Sequence, residues 1–173
     1  MYKKVESIPD WLKAVDVVDI YSVSNCISDD FCDYINYWKH NGYWLFDNLE
    51  IMEDLASENG ISLDGLTPFY YRIHPLQWDA PKSEWKPFEP EASFTTDVIE
   101  PVTSNLEGFD IVTYYAQTSA ECSPLSCNGL AQTVPVNEHC LLDSFESAKN
   151  ILKTGGPTFG EPGPYRIFEV HTL

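Results

Sequence analysis

The sequence is poor in positive charge. Its 173 residues include 10 lysines and arginines against 27 aspartates and glutamates, and the formal net charge is -17. A nucleic-acid surface needs clustered Lys and Arg side chains that displace counterions from phosphates, and anionic lipid attracts similar clusters. The composition therefore argues against nucleic acid and membrane as partners. An acidic field steers basic proteins or cations toward the chain, or serves solubility alone.

Long apolar runs are also missing. No stretch approaches the roughly 20 apolar residues that span a bilayer, and the N-terminal residues lack an apolar run of signal-peptide length. We therefore expect a cytoplasmic protein. The five cysteines, Cys26, Cys32, Cys122, Cys127 and Cys140, are an odd number without a tandem CxxC pattern. In a reducing compartment we expect thiols, metal ligands or core residues rather than disulfides.

The residues that are present predict a single α+β domain over 1–173, with a mainly antiparallel sheet and about three helices packed on it. Hydrophobic residues make up 43% of the chain and aromatic residues 14%, enough for a substantial core. Apolar spacing of three and four residues predicts helices at 29–39, 47–60 and 143–156, with a shorter one at 9–15. Asp47 and Asp143, each followed three residues later by a glutamate, are the expected N-caps of the second and third helices.

Strands are predicted where aromatic and β-branched residues concentrate. The segments are 17–23, 68–74, 109–116 and 165–172, while 42–46 suits either a short strand or the approach to a helix. We expect the 109–116 and 165–172 segments to be half-buried strands of one sheet, with the helix from Asp143 on one face. The chain's two arginines, Arg72 and Arg166, lie in predicted strands and are expected to pair with carboxylates rather than bind an anionic ligand.

Residues 75–105 are rich in proline and aromatic residues, which predicts a long surface excursion. Trp78, Trp85 and Phe88 are the aromatic residues of interest in it. If buried, they attach the excursion to the body of the domain. If exposed, they form a surface for binding a partner.

The segment AECSPLSCNGLAQTVPVNEHC, residues 120–140, holds the candidate chemistry. Cys122 or Cys127 could act as a thiol nucleophile with His139 as its base, oriented by Asn137 or Glu138. The same thiols with His139 or Cys140 could hold zinc, although a second closely spaced ligand pair is missing. The third interpretation is purely structural, with Cys140 a core residue at the entry to a helix. The sequence predicts no cofactor, with zinc as the alternative.

In size, acidity and aromatic content the chain resembles bacterial immunity proteins and phage-encoded inhibitors, a resemblance of composition without a shared motif. It implies a small inhibitory protein that captures a basic protein through an acidic face containing aromatic residues. The alternative function is a cysteine-dependent enzyme or a zinc protein that uses the 122–140 loop. The sequence does not specify the oligomeric state.

Overall fold

The computed structural model describes residues 2–4, 8–12, 16–24, 43, 45–88, 97–113, 122–155 and 163–173. The helix predicted at 29–39, together with Cys26 and Cys32, lies outside these ranges. No helix in the described ranges is long and apolar enough to cross a membrane.

The described elements form an α+β fold with an antiparallel sheet. In chain order they are β1 (Tyr2–Lys4), α1 (Leu49–Asn59), β2 (Leu66–Ile73), β3 (Leu76–Asp79), β4 (Glu84–Pro87), β5 (Asn105–Thr113), α2 (Phe145–Lys153) and β6 (Tyr165–Thr172), with 3-10 turns at Asp10–Leu12 and Leu130–Gln132. Two α-helices therefore lie in the described part of the chain, where about three were predicted for the whole.

The C-terminal strand β6 organises the sheet. It pairs along its length with β5, from Thr113 opposite Tyr165 to Asn105 opposite Thr172. Its other side pairs with β2 and, through Trp78 opposite Tyr165, with β3. The strands β1 and β4 extend the sheet beyond β2 and β3, respectively. The prediction that 109–116 and 165–172 share a sheet is confirmed as far as Thr113, the last described residue of that segment.

Both faces of β6 are covered, which explains why nearly all of its side chains are buried. Tyr165 and Ile167 belong to one core cluster, which also contains Ala148 and Leu152 of α2. The next apolar residues, Phe168 and Val170, belong to a second cluster. Because side chains alternate between the faces of a strand, these clusters lie on opposite sides of the sheet. The expectation of half-buried strands is thus wrong for β6, which is a central strand, while the packing of α2 on the sheet is confirmed.

Both helices begin one residue later than the sequence predicted. The N-cap of α1 is Asn48, whose side chain accepts a hydrogen bond from the Ile51 amide, and the N-cap of α2 is Ser144. Asp47 is not the cap because its carboxylate accepts the Asp97 amide instead, at 2.7 Å. The predicted end of α1 is confirmed, since Gly60 closes the helix in the left-handed conformation.

The predicted strand at 17–23 is absent. The described backbone there bonds to two carbonyl groups of a turn: Val18 and Asp19 donate to Glu138, and Tyr21 donates to His139. The Val23 amide donates to a side chain, the carboxylate of Asp110. This segment therefore lies against a turn and a side chain rather than against a strand that could form a ladder with it.

The first part of the 75–105 excursion is a hairpin of the sheet, formed by β3 and β4. Trp78 and Trp85 lie opposite each other in the two strands, with ring centroids 5.2 Å apart. Such aromatic pairs stabilise antiparallel strands. Beyond the hairpin, the described residues 97–104 form no helix or strand and lead into β5.

Candidate functional site

The cysteine-containing segment, residues 122–142, covers the outer edge of β5. The Thr113 amide donates to the Cys122 carbonyl at 2.8 Å at one end of this contact. At the other end, Phe109 and Leu142 exchange backbone hydrogen bonds of 2.9 Å. Exposed strand edges are open to further pairing, and this segment satisfies part of the edge of β5.

A buried carboxylate lies beneath the segment. Asp110 of β5 is fully buried and accepts hydrogen bonds from Ser123 Oγ at 2.5 Å, Ser22 Oγ at 3.0 Å and the Val23 amide at 3.0 Å. A buried charge is costly unless hydrogen bonds satisfy it. Asp110 therefore joins β5 to the 22–23 segment and to the turn that follows Cys122.

The three described thiols differ in exposure. Cys122 is buried and its sulfur accepts from Asn128 Nδ2 at 3.6 Å, whereas Cys127 is partly exposed with its sulfur 3.3 Å from Ser24 Oγ. Cys140 is buried in the core cluster that contains Leu142. Burial raises the pKa of the Cys140 thiol to about 12, with a further contribution from the charge of Asp110. Cys140 is thus a core residue, and Cys127 is the most accessible of the three thiols.

His139 lies among carboxylates. Its Nδ1 is 2.5 Å from Asp19 Oδ1 and its Nε2 is 3.6 Å from Glu107 Oε2. The ring stacks on Tyr21 with centroids 4.1 Å apart. Burial raises the pKa of the Tyr21 phenol, and the charges of Asp19, Glu107 and Glu138 raise it further. Through its contacts with Asp19 and Tyr21, the imidazole therefore links the 19–21 segment to the turn before Leu141.

The structure places Cys122 and Cys127 in one turn but does not join either to His139. Both ring nitrogens of His139 contact carboxylates, and the hydrogen bonds described for it include none to a thiol. Asn137, a predicted orienting residue, holds the backbone instead, since its Oδ1 accepts from the amides of His139 and Leu141. Among the described residues, no group of three potential ligands is arranged to hold a metal ion.

The predicted binding aromatics pack against the body of the sheet. Trp78 is 5% exposed, and Trp85 is partly buried against Trp78 and His74. Phe88 is also partly buried, with the guanidinium carbon of Arg166 3.3 Å from its ring centroid. Of the two alternatives for these aromatic residues, their burial fits attachment of the excursion to the domain. Trp78 in particular presents almost no surface to a partner.

The two arginines have different environments. Arg72 forms ion pairs with Glu100 and with Glu169, as the sequence predicted. Arg166 is buried, donates to Gln77 Oε1 at 3.0 Å and stacks on Phe88. A guanidinium has a flat, weakly hydrated face that suits such stacking.

Sequence reasoning missed an exposed apolar surface, formed by the second part of the excursion, the start of β5 and the residue after β6. We call it the apolar face, and its residues are Val98, Ile99, Val102, Leu106 and Leu173. Val102 is fully exposed and Ile99 is 61% exposed. Asp97 precedes Val98, and Glu100 separates Ile99 from Val102. The run DVIEPV at 97–102 is the signal that could have identified it, because Pro101 disfavours a helix interior or a central strand there and so leaves its apolar residues without a buried element to belong to.

A groove borders the apolar face. It consists of two adjoining cavities of about 290 Å³ and about 270 Å³. The cavities share four wall residues, namely Phe46, Asp47, Phe69 and Tyr70. We call this the Asp47 groove. Ile99 and Leu173 of the apolar face also line it, so the exposed surface and the groove are continuous.

Comparisons with protein-family models, with curated proteins and with solved structures find no match to this chain.

Proposed function

We propose that the protein works by binding a basic protein, as an inhibitory protein of the immunity type would, and that the apolar face with its acidic border is the contact surface. The observation that carries this proposal is the set of exposed apolar side chains at 98, 99 and 102, with the exposed acids Asp97 before it and Glu100 within it. Contiguous exposed apolar surface rimmed by polar residues is typical of protein-binding sites.

The charge of the chain supports a basic partner. The net charge is -17. Three of the few basic side chains, Arg72, Lys86 and Lys149, already form ion pairs with carboxylates of the chain. The field of the chain as a whole is therefore negative. Complementary charge raises the association rate of a basic partner more than it raises affinity, and the desolvated apolar contacts slow dissociation.

Thiol chemistry has less support from the geometry. Cys140 is buried with a raised pKa, and the contacts of His139 are to carboxylates rather than to a thiol. The proposed function therefore assigns no role to the cysteines.

The test begins with recovery of binding proteins on the immobilised chain, followed by purification of each and measurement of its binding kinetics. We expect a basic partner whose affinity falls at least about tenfold, or about 1.4 kcal/mol, when Val98, Ile99 and Val102 are all replaced by serine. Val18→Ser is the matched control, because Val18 is 69% exposed and lies outside the apolar face. Cys122→Ser with Cys127→Ser should also leave the affinity unchanged.

Salt dependence gives a second measurement on the same complex. The association rate should fall as NaCl is raised from 50 to 300 mM, because salt screens the steering field. An acidic partner, or a partner that binds the triple serine variant as tightly as the native protein, would refute the proposal. Loss of binding in the double cysteine variant with its fold intact would favour the enzyme alternative.

A further inference from the structure

We infer that the Asp47 groove receives a lysine side chain of the basic partner, with the neighbouring partner residues lying on the apolar face. This inference rests on the proposed function and specifies which residue of the partner is recognised. Three features of the groove carry it: its size, the chemistry of its walls and the state of the Asp47 carboxylate.

The size suits a side chain. Each cavity lies at or just below the lower limit of small-molecule sites, which begin at about 300 Å³. The walls are mainly aromatic and aliphatic, with Leu49, Met52 and Phe69 in the cavity nearest α1. Such walls suit the four-carbon stem of lysine, which buries readily along apolar surface while its ammonium group seeks a polar partner.

The Asp47 carboxylate supplies that polar partner. Asp47 is only 4% exposed, and it lines both cavities. Its Oδ2 accepts the Asp97 amide, whereas its Oδ1 is shielded from solvent and has no hydrogen-bond donor among the described residues. The ammonium group therefore reaches Oδ1 only when side chains of the groove wall change rotamer, as interface side chains commonly do on binding. A buried acceptor without a donor is costly, and a donor brought by the partner would remove that cost.

The charge of the groove is negative where α1 begins, and Arg72, which lines the other cavity, is paired with Glu100 and Glu169. The N-terminus of α1 carries the equivalent of about half a positive charge. The carboxylates of Asp47 and Glu50, both in the groove wall, outweigh it. A cation is therefore the complementary group, despite the nearby helix end.

The geometry favours lysine over arginine. A guanidinium binds best when both oxygens of a carboxylate are available to its two parallel N–H groups. At Asp47 one oxygen already bonds the Asp97 amide, which leaves a single acceptor. A compact ammonium group needs only one such contact from this carboxylate.

The test uses a capped pentapeptide with one central lysine between pairs of valines, titrated into the intact protein and followed by amide chemical shifts. The matched peptide carries norleucine in place of lysine, which keeps the stem and removes the charge. We expect shifts at Asn48, Tyr70 and Ile99 but not at Val18, and an affinity at least about tenfold weaker for the norleucine peptide, since a hydrogen bond to a charged group contributes more than about 1.4 kcal/mol.

Variants of the protein provide the second comparison. Asp47→Asn keeps an acceptor for the Asp97 amide and removes the charge, so we expect about a tenfold loss of affinity for the lysine peptide. Glu50→Gln, on the exposed first turn of α1, should give a smaller loss in a variant that folds readily. Glu58→Gln, near the other end of the same helix, is the control and should bind like the native protein.

The outcomes separate this inference from the proposed function. If both peptides bind equally, or if Glu50→Gln and Asp47→Asn bind the lysine peptide like the native protein, the lysine site is refuted. The lysine site is also refuted if the peptide shifts amides away from the groove. Two further results would refute it: a second copy of the chain occupying the groove in a concentration-dependent dimer, or residues 89–96 of the chain itself filling the groove. In each case a purified basic partner that still depends on Val98, Ile99 and Val102 would leave the proposed function standing. Absence of any such basic partner would refute both.

Discussion

Cys127 and Cys140 belong to the same segment, but their thiols lie in different surroundings. Cys127 is partly exposed beside Ser24, whereas Cys140 is 2% exposed and packs in the core. The thiolate is the reactive form of cysteine, and burial disfavours it. At the residue scale, accessibility and desolvation decide which thiol can react.

We predict that iodoacetamide at pH 8 modifies Cys127 well before Cys140 in the native protein. The pKa of Cys140, raised to about 12 chiefly by burial, leaves almost no thiolate at that pH. The measurement is peptide mass mapping over time, in a chain carrying Cys26→Ser and Cys32→Ser so that only the described thiols compete. Unfolding in urea is the control and should bring the two rates together. Equal rates in the native protein would contradict the prediction.

We expect His74 to make a pH-dependent contribution to stability. It packs against Phe145 at 4.6 Å and Trp85 at 5.7 Å between ring centroids. Burial lowers the pKa of His74 and the charge of Lys149 lowers it further, while Glu169 opposes this shift. Since the folded-state pKa lies below the unfolded value near 6.5, the unfolded chain binds more protons between the two values.

We therefore predict that the free energy of unfolding falls as the pH is lowered from about 6.5 toward the folded-state pKa of His74. The measurement is urea unfolding at several pH values for the native protein and for His74→Gln. The difference in free energy of unfolding between the native protein and His74→Gln separates the contribution of His74 from those of the carboxylates and other histidines. This difference should narrow as the pH falls. A constant difference across the range would show that His74 does not contribute.

At the scale of elements, the pairing of β5 with β6 includes an irregularity that only glycine permits. The register shifts between Leu106 and Gly108, and Gly108 has a φ of +152°. A Cβ added there would lie 2.7 Å from the Leu141 Cβ and 2.9 Å from the Leu142 carbonyl oxygen. This close approach lets the cysteine-containing segment lie against β5, because a side chain at 108 would separate them.

We predict that Gly108→Ala destabilises the protein by more than Gly65→Ala, by at least about 1 kcal/mol, since overpacking alone costs about 1–3 kcal/mol. Gly65 is the matched control: its φ of +77° is also unfavourable for alanine, but a Cβ there meets nothing within 4 Å. Chemical denaturation of both variants gives the comparison. An equal loss of stability in the two variants would mean that the 141–142 turn moves away from a side chain at 108 without an energetic cost.

At the scale of the whole molecule, the excess of acidic residues opposes the compact state. A net charge of -17 on 173 residues produces self-repulsion that folding must overcome. The same field that we propose attracts a basic partner therefore destabilises the protein alone. Screening by salt should affect the two properties in opposite directions.

We predict that the thermal midpoint of the isolated protein rises between about 10 and about 150 mM NaCl, as the Debye length falls from about 30 to about 8 Å. Differential scanning calorimetry measures it, and choline chloride at the same ionic strength should act alike if screening is the cause. A midpoint that falls with salt would indicate that ion pairs such as Arg72–Glu169 outweigh the repulsion.

The sequence by itself determined those elements whose signals are local. The aromatic and β-branched composition of 165–172 coincides with β6, and the helical spacing and Gly60 locate α1 to within a few residues. Such periodicity and capping chemistry act within one or two turns of chain. The tendency of free cysteine to be buried favoured Cys140 as a core residue, and the acidic composition favoured ion pairing of Arg72.

Tertiary contacts decided the rest. The segment 17–23 has strand composition but forms hydrogen bonds to the turn at 138–139 and to Asp110, so composition alone could not assign it. His139 contacts Asp19, which is 120 residues away in the chain, rather than the nearby thiols. The Asp47 groove combines residues before and within α1 with residues of β2 and the 97–104 segment. Local patterns do not encode which distant side chains meet, because that depends on how the whole chain packs around β6.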